Sequence, residues 1–320
     1  MSPKNPVWEI ARPDSGRRTN LREQIAEWIA APEFRALARA FGATPPKTDA
    51  KSLLAWYDTF SAEHWDFRRG RERNQADEPT LNRSQLETTM TAAEATGMVD
   101  SQPPSRGEYD YCLILGGLIR ACLTRPRFAA QLATQQVALR KIVALGGFRP
   151  LRGDELEFAD RLQVQATNEF EAMDAGLRRA FGVLDEPSVE SGDDSQGNWD
   201  WRVHAYLRPH CEVIAAPSSE PDARRANSSD TFAWWAAREG DVNGARILLV
   251  TNPIYVPYQG AAATQMLALR HGAQVETIGI SAEAADLGVD TQSFQPFHYL
   301  QEIRSAVRGM HSLYLASFEL

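Results

Sequence analysis

Five short apolar runs in the last two thirds of the chain constrain the fold more than any other feature. They are Tyr111–Leu115 (YCLIL), Ile142–Leu145 (IVAL), Val213–Ala216 (VIAA), Ile247–Val250 (ILLV) and Val275–Ile280 (VETIGI). Each reads as a buried strand, and most are followed by glycine, proline or a small polar residue. Helical stretches lie between them at Phe128–Leu139, Leu156–Phe181, Thr231–Arg238 and Ala261–Leu269. Buried strands alternating with helices predict an α/β protein, a mostly parallel sheet of about five strands with helices on both faces. In such sheets ligands bind at the carboxyl ends of the strands. Residues 185–198 are acidic and rich in Gly and Ser, and are expected to form a solvated or disordered insertion. Trp199, Trp201 and Val203 alternate after it as a possible edge strand.

The first hundred residues have a different rhythm. Asn20 and Glu23 are spaced as a capping pair, and Leu21, Ile25, Trp28 and Ile29 then share one helical face. A second helix is expected from Pro32 through Phe34, Leu37 and Phe41, and a third around Leu53, Leu54, Trp56, Tyr57 and Phe60. Ser84 and Glu87 suggest another capping box, with Leu86, Met90 and Met98 continuing that helix and Gly97 ending it. Residues 99–107 (VDSQPPSRG) look like a linker. The expected division is a helical region at 1–100, packing on or capping the sheet, and an α/β domain at 108–320. Charge follows it: the formal net charge is −8, of which residues 1–100 contribute only −1.

Several function classes are disfavoured. The acidic balance argues against general nucleic-acid binding, which calls for a clustered cationic surface. No apolar run approaches the roughly 18–20 residues of a membrane helix. The stretch Met1–Arg18 is polar and broken by Pro3, Pro6 and Pro13, unlike a signal peptide. Three cysteines without a CxxC argue against a disulfide framework and a Cys-rich zinc site, and fit a reduced cytoplasmic protein. His204, His210 and Cys211 lack zinc-ligand spacing, so no metal is expected. No GxSxG elbow is present. Arg68, Arg69, Arg71 and Arg73 alternate with acids as a solvated surface that could also clamp a phosphate.

The candidate chemistry lies in the loops after the strands. Gly116-Gly117 and Gly146-Gly147 follow the first two runs, where glycine lets the backbone approach a phosphate or carboxylate. Neither is a GxGxxG or a Walker loop, and each could be only a tight turn. After the third run, Ser228 or Asp230 is placed to cap a helix beginning near Thr231, whose N-terminus would also attract an anion. Thr251 and Asn252 follow the fourth run, with Tyr255 and Tyr258 as possible stacking surfaces or core. Glu169 and Glu171 point to different faces of one helix, so at most one serves the same site.

The order of these motifs resembles the YdcF-like family, whose strands end in Gly-Gly and Ser-Gly-Gly and are followed by a helix carrying a Glu. The counterparts are LGG at 115–117, LGG at 145–147, NEFEAM at 168–173, SSDT at 228–231 and VTNPIYVP at 250–257. REQIAEWIAAPEF also looks like the family's helix before the sheet. Several family side chains differ: Leu145 stands for a Ser, Asp230 for an Asn, Tyr255 for a His and Tyr258 for an Arg. The resemblance implies a Rossmann-like sheet and a nucleotide-like ligand, S-adenosylmethionine being associated with one member. The resulting expectation is a small-molecule enzyme, group transfer preferred, holding an adenosyl or phosphorylated ligand. Gly116, Gly117, Gly146, Gly147, Ser228, Asp230 and Thr231 would bind the cofactor. Glu169 and Thr251 would be catalytic, and Asn252, Tyr255 and Tyr258 would meet the substrate. The alternatives are a non-catalytic nucleotide sensor and a phosphate or nucleotide hydrolase; oligomerisation is open.

Overall fold

The computed structural model describes residues 15–67, 78–192 and 198–319. The arginine run at 68–73 lies outside them. Four helices come first: α1 (Ser15–Ala30), α2 (Pro32–Ala40), α3 (Ala50–His64) and α4 (Arg83–Ala95). Pro32 occupies the first helical position of α2, where its missing N–H costs nothing. Asn20 sits inside α1, five residues after its first residue, and not at its N-cap. The capping box of α4 is Asn82 with Gln85, two residues before the expected Ser84 and Glu87. Gly97 does end that helix, with a φ of +76° that favours glycine.

The α/β part runs β1 (Glu108–Leu115), α5 (Ile119–Thr134), β2 (Ala138–Gly146), α6 (Asp154–Arg161), α7 (Glu169–Phe181), β3 (Ser188–Gly192), β4 (Trp201–Tyr206) and β5 (Cys211–Ala215). It continues with α8 (Ser228–Glu239), β6 (Arg246–Thr251), α9 (Val256–Ala263) and a π-helical turn (Thr264–Leu269), then β7 (Gln274–Gly279), α10 (Ala282–Ala285) and α11 (Pro296–Ala316). The seven strands lie in the order β3-β4-β5-β2-β1-β6-β7. From β5 to β7 every neighbouring pair is parallel, whereas β3 and β4 join antiparallel at one edge. Taken along the chain, the five parallel strands have the Rossmann-type order 3-2-1-4-5, reversing between β1 and β6.

Alternation along each strand sorts side chains to opposite faces. Cys112 and Ile114 of β1, with Ile142 and Ala144 of β2, pack under α5 and α7. Leu113 and Leu115, with Val143 and Leu145, join the opposite core, which takes in α8, α9, α11 and the N-terminal helices. The helical region reaches the sheet largely through α11, which packs on α3, α4 and α9.

Two expectations are corrected and one element is added. The sheet's seven strands are the five buried runs, β4 at the expected edge-strand position, and β3, which lies in the acidic stretch expected as an insertion; its exposed side chains carry little apolar signal, and pairing to β4 makes the strand. Residues 193–197 of that stretch lie outside the described residues. The helical stretch 156–181 is two helices, interrupted where Gln163 adopts a positive φ and Asn168 caps α7. Finally, α11 was not foreseen, although Leu300, Ile303, Val307, Met310 and Leu313 recur at helical spacing and are fully buried.

Candidate functional site

A cleft of about 690 Å³ opens at the carboxyl ends of β1, β2 and β5. Its floor is made by Gly116, Gly146 and Gly147, one wall by Arg149 and Glu169, and the other by Arg224, Arg225 and the first turn of α8. The glycines are not equivalent. A Cβ on Gly116 would overlap the Glu169 carboxylate and stand 2.6 Å from the Leu145 carbonyl oxygen. A Cβ on Gly146 would press on the Phe170 backbone at 3.1 Å, where α7 crosses the strand end. One on Gly147 would meet nothing within 4 Å, since that position faces the open cleft. Gly117 also abuts protein, with Ala121 Cβ at 3.2 Å.

Loop 147–150 and α7 hold one another. The Glu169 and Phe170 N–H groups donate to the carbonyls of Arg149 and Gly147 at 2.9 and 2.8 Å, and the Glu171 N–H donates to Asn168 Oδ1 at 3.0 Å. This arrangement stands Glu169 at the start of the helix against Gly116. Arg149 then ties two carboxylates together. Its Nη1 and Nη2 donate to Glu155 at 2.6 and 2.9 Å, its Nε reaches Glu169 Oε2 at 3.2 Å, and Nη2 also donates to the Gly117 carbonyl at 3.0 Å. Glu155 is 3% exposed and accepts the Ile119 N–H at 3.1 Å. Burial pushes the Glu169 carboxyl above its ordinary range, against the opposing pull of Arg149 and Arg125. Glu171 is separate, bonded to Thr167 on the helix's outer side.

Across the cleft, Asn227 is the N-cap of α8, its Oδ1 accepting the Ser229 and Asp230 N–H groups at 2.8 and 3.1 Å. Asp230 completes the box by accepting the Asn227 N–H at 2.8 Å and the Ser219 hydroxyl at 2.6 Å, and it pairs with Arg224. Burial resists ionisation of Asp230, but Arg224, Ser219 and the Asn227 N–H outweigh it and hold the carboxyl down at about 2. Thr231 donates back to the Asn227 carbonyl at 3.1 Å. Asp230 therefore organises the loop, while Ser228 and Thr231 line the cleft.

The residues after β6 are elsewhere. Thr251 is fully buried and its hydroxyl donates to Gln259. Asn252 Oδ1 accepts the Nε–H of Arg125 at 2.8 Å. Arg125 is 2% exposed and bridges the sheet reversal, Nη1 also donating to the carbonyls of Leu115 and Gly116. Tyr255 is buried near Phe294 and Arg125, and Tyr258 packs towards Gly309 of α11. The structure thus gathers Gly116, Gly146, Gly147, Glu169, Ser228 and Thr231 around one cleft and leaves Thr251, Asn252, Tyr255 and Tyr258 outside its lining. Arg149, Glu155, Arg224, Arg225 and Asn227 went unread in the sequence. Only the last carried a clear signal, a capping-box spacing to Asp230.

Among the described residues there is no group of three or more His, Cys, Asp or Glu side chains placed to hold a metal ion, and no helix long and apolar enough to cross a membrane. Cys112, Cys122 and Cys211 are free and buried.

Residues 12–97 match the family model described as the Rv3785 N-terminal domain. The chain is 30% identical over 340 aligned positions to the uncharacterized protein Rv3785 of Mycobacterium tuberculosis, spanning 97% of this chain and 94% of the relative. The same figures hold for the uncharacterized protein Mb3814 of Mycobacterium bovis. No solved structure matches. These matches overturn the YdcF-like resemblance: similarity runs end to end through a different family and includes the helical region. The quoted motif order is what a Rossmann-type strand order places at strand ends in general, with glycine turns after buried strands and a capped helix after the third. The chain belongs to the Rv3785 family.

Proposed function

We propose that the chain is a small-molecule enzyme that holds a nucleoside phosphate in the cleft over β1, β2 and β5, with Glu169 as the proton-transferring group. The observation that carries this reading is a buried, upward-shifted carboxyl on one wall facing Arg225 and the first turn of α8 on the other. The cleft has the volume of an ordinary small-molecule site. Arg225 brings a guanidinium to the cleft beside the first turn of α8, Arg224 being held by Glu220, Ser219 and Asp230, and Gly147 leaves its backbone open to a close approach. With Arg149 neutralised by Glu155 and Arg224 by Asp230, the first turn of α8, the open Gly147 backbone and the Arg225 guanidinium are the parts of the lining that favour a phosphate over the cationic S-adenosylmethionine. Transfer of a group from the phosphorylated donor is the reaction class that uses both walls. Glu169, held towards Gly116 by Arg149, would take the proton of an acceptor hydroxyl or amine.

Melting temperature measured with ADP, adenosine and S-adenosylmethionine separates these ligands. ADP should raise it, adenosine should raise it far less, and Arg225→Ala should erase the ADP effect. A shift with S-adenosylmethionine but not with ADP would overturn the phosphate assignment.

A further inference from the structure

A second pocket, of about 220 Å³, lies on the other side of Arg125, between the ends of β6 and β7 and the first turn of α5. We propose that it is a separate small-molecule site that takes a monocarboxylate with a short apolar body. It stands apart from the larger cleft. Arg125 fills the reversal point between them, bonded to the Gly116 carbonyl towards one and to Asn252 towards the other. Three parts of the chain build the walls: the linker after α4, the strand ends, and the approach to α11. A joint of this kind at the carboxyl edge of a parallel sheet is where ligands collect.

The charge in the pocket sets the ligand's class. Arg120 is half-buried on the first turn of α5, and its Nε donates to the backbone carbonyl of Asp290 at 2.7 Å. Its guanidinium lies 3.6 Å from the centre of the Phe158 ring. The Asp290 carboxylate, which could have neutralised it, is bonded instead to Arg161 at 2.6 Å. Arg120 therefore makes no ion pair among the described residues, and its fork of donors suits a carboxylate. Burial lowers its proton affinity despite the fields of Asp154 and Asp290, in keeping with a cation short of a direct partner. Ile254, Ile280 and Phe294 line the same pocket and offer apolar surface. Asp100, at the exposed rim, disfavours a second negative charge, which selects a monocarboxylate over a phosphate or a dicarboxylate. The volume is too small for a nucleotide.

Fluorine NMR of 4-fluorobenzoate with the full chain tests this assignment, 4-fluorobenzamide being the neutral control. At about 5 mM probe, the carboxylate signal should broaden and the amide signal should not. Arg120→Gln should weaken binding by about tenfold or more. Ala282→Trp, at an exposed position on the pocket lining, should do the same without touching the core, so the test survives if Arg120→Gln fails to fold. Gly147→Trp, which fills the larger cleft, should leave binding unchanged. The proposal is overturned by absence of broadening with the wild type, by equal broadening of the amide, by binding that persists in Ala282→Trp, or by loss in Gly147→Trp.

Discussion

The two halves of the sheet's carboxyl edge use their polar residues in opposite ways. Over β1, β2 and β5, glycines clear space, and Glu169 and Arg225 line an open cleft. At the end of β6, Thr251 and Asn252 are buried and bond to Gln259 and Arg125, so their polar atoms serve the protein's own frame. Polar residues at the ends of neighbouring parallel strands therefore carry different roles. What separates them is the side chain that arrives from far along the chain: Glu169 beside Gly116, and Arg125 beside Asn252.

Three perturbations probe that contrast. The largest effect is expected from Arg149→Met. It leaves Glu155, almost fully buried, without its counter-ion, a situation that costs about 3–5 kcal/mol. Urea unfolding would measure it, and a loss below about 1 kcal/mol would mean that Arg149 does not organise this wall.

The two glycine turns should then part company. Gly116→Ala drives a Cβ into Glu169 and the Leu145 carbonyl and should destabilise by about 2–3 kcal/mol, as overpacking does. Gly147→Ala should stay within about 0.5 kcal/mol, because the new methyl group points into open space. Equal losses in the two variants would erase the distinction between a glycine that makes room for Glu169 and one that makes room for a ligand.

The last effect, confined to acid pH, concerns Asp230. Its folded pKa of about 2 lies below the ordinary 3.8, so the stabilisation is fully present above pH 3.8 and is lost as pH falls through about 2. The window from pH 4 to 2 should remove about 2 kcal/mol through this group. Arg224→Gln should flatten that part of the curve. An unchanged acid limb in the variant would place the acid sensitivity elsewhere.

Much of the architecture was legible because buried strands announce themselves locally. YCLIL, IVAL and ILLV lie within β1, β2 and β6, and three of the four glycines after the first two, Gly116, Gly146 and Gly147, floor the cleft. Glu169 was legible as a helical carboxylate near the strand ends, but its pairing with Arg149, twenty residues away, was not, since nothing in FRPLRGDE marks that arginine as inward-facing. Arg125 was still less visible. Its partner Asn252 is 127 residues distant, and a guanidinium inside an otherwise apolar helix face becomes meaningful only when the sheet reversal places carbonyls around it. The edge strand β3 escaped for a different reason: its pairing is all backbone, and its side chains are exposed. The family resemblance failed because it rested on turns that the strand order itself demands.

The most direct test of the central claim is an isothermal titration of ADP into the wild-type chain and into Gly147→Trp, whose indole would occupy the cleft. The account predicts saturable binding to the wild type and none to the variant, with both proteins equally folded. Binding that survives in Gly147→Trp, or no binding to the wild type, would contradict it.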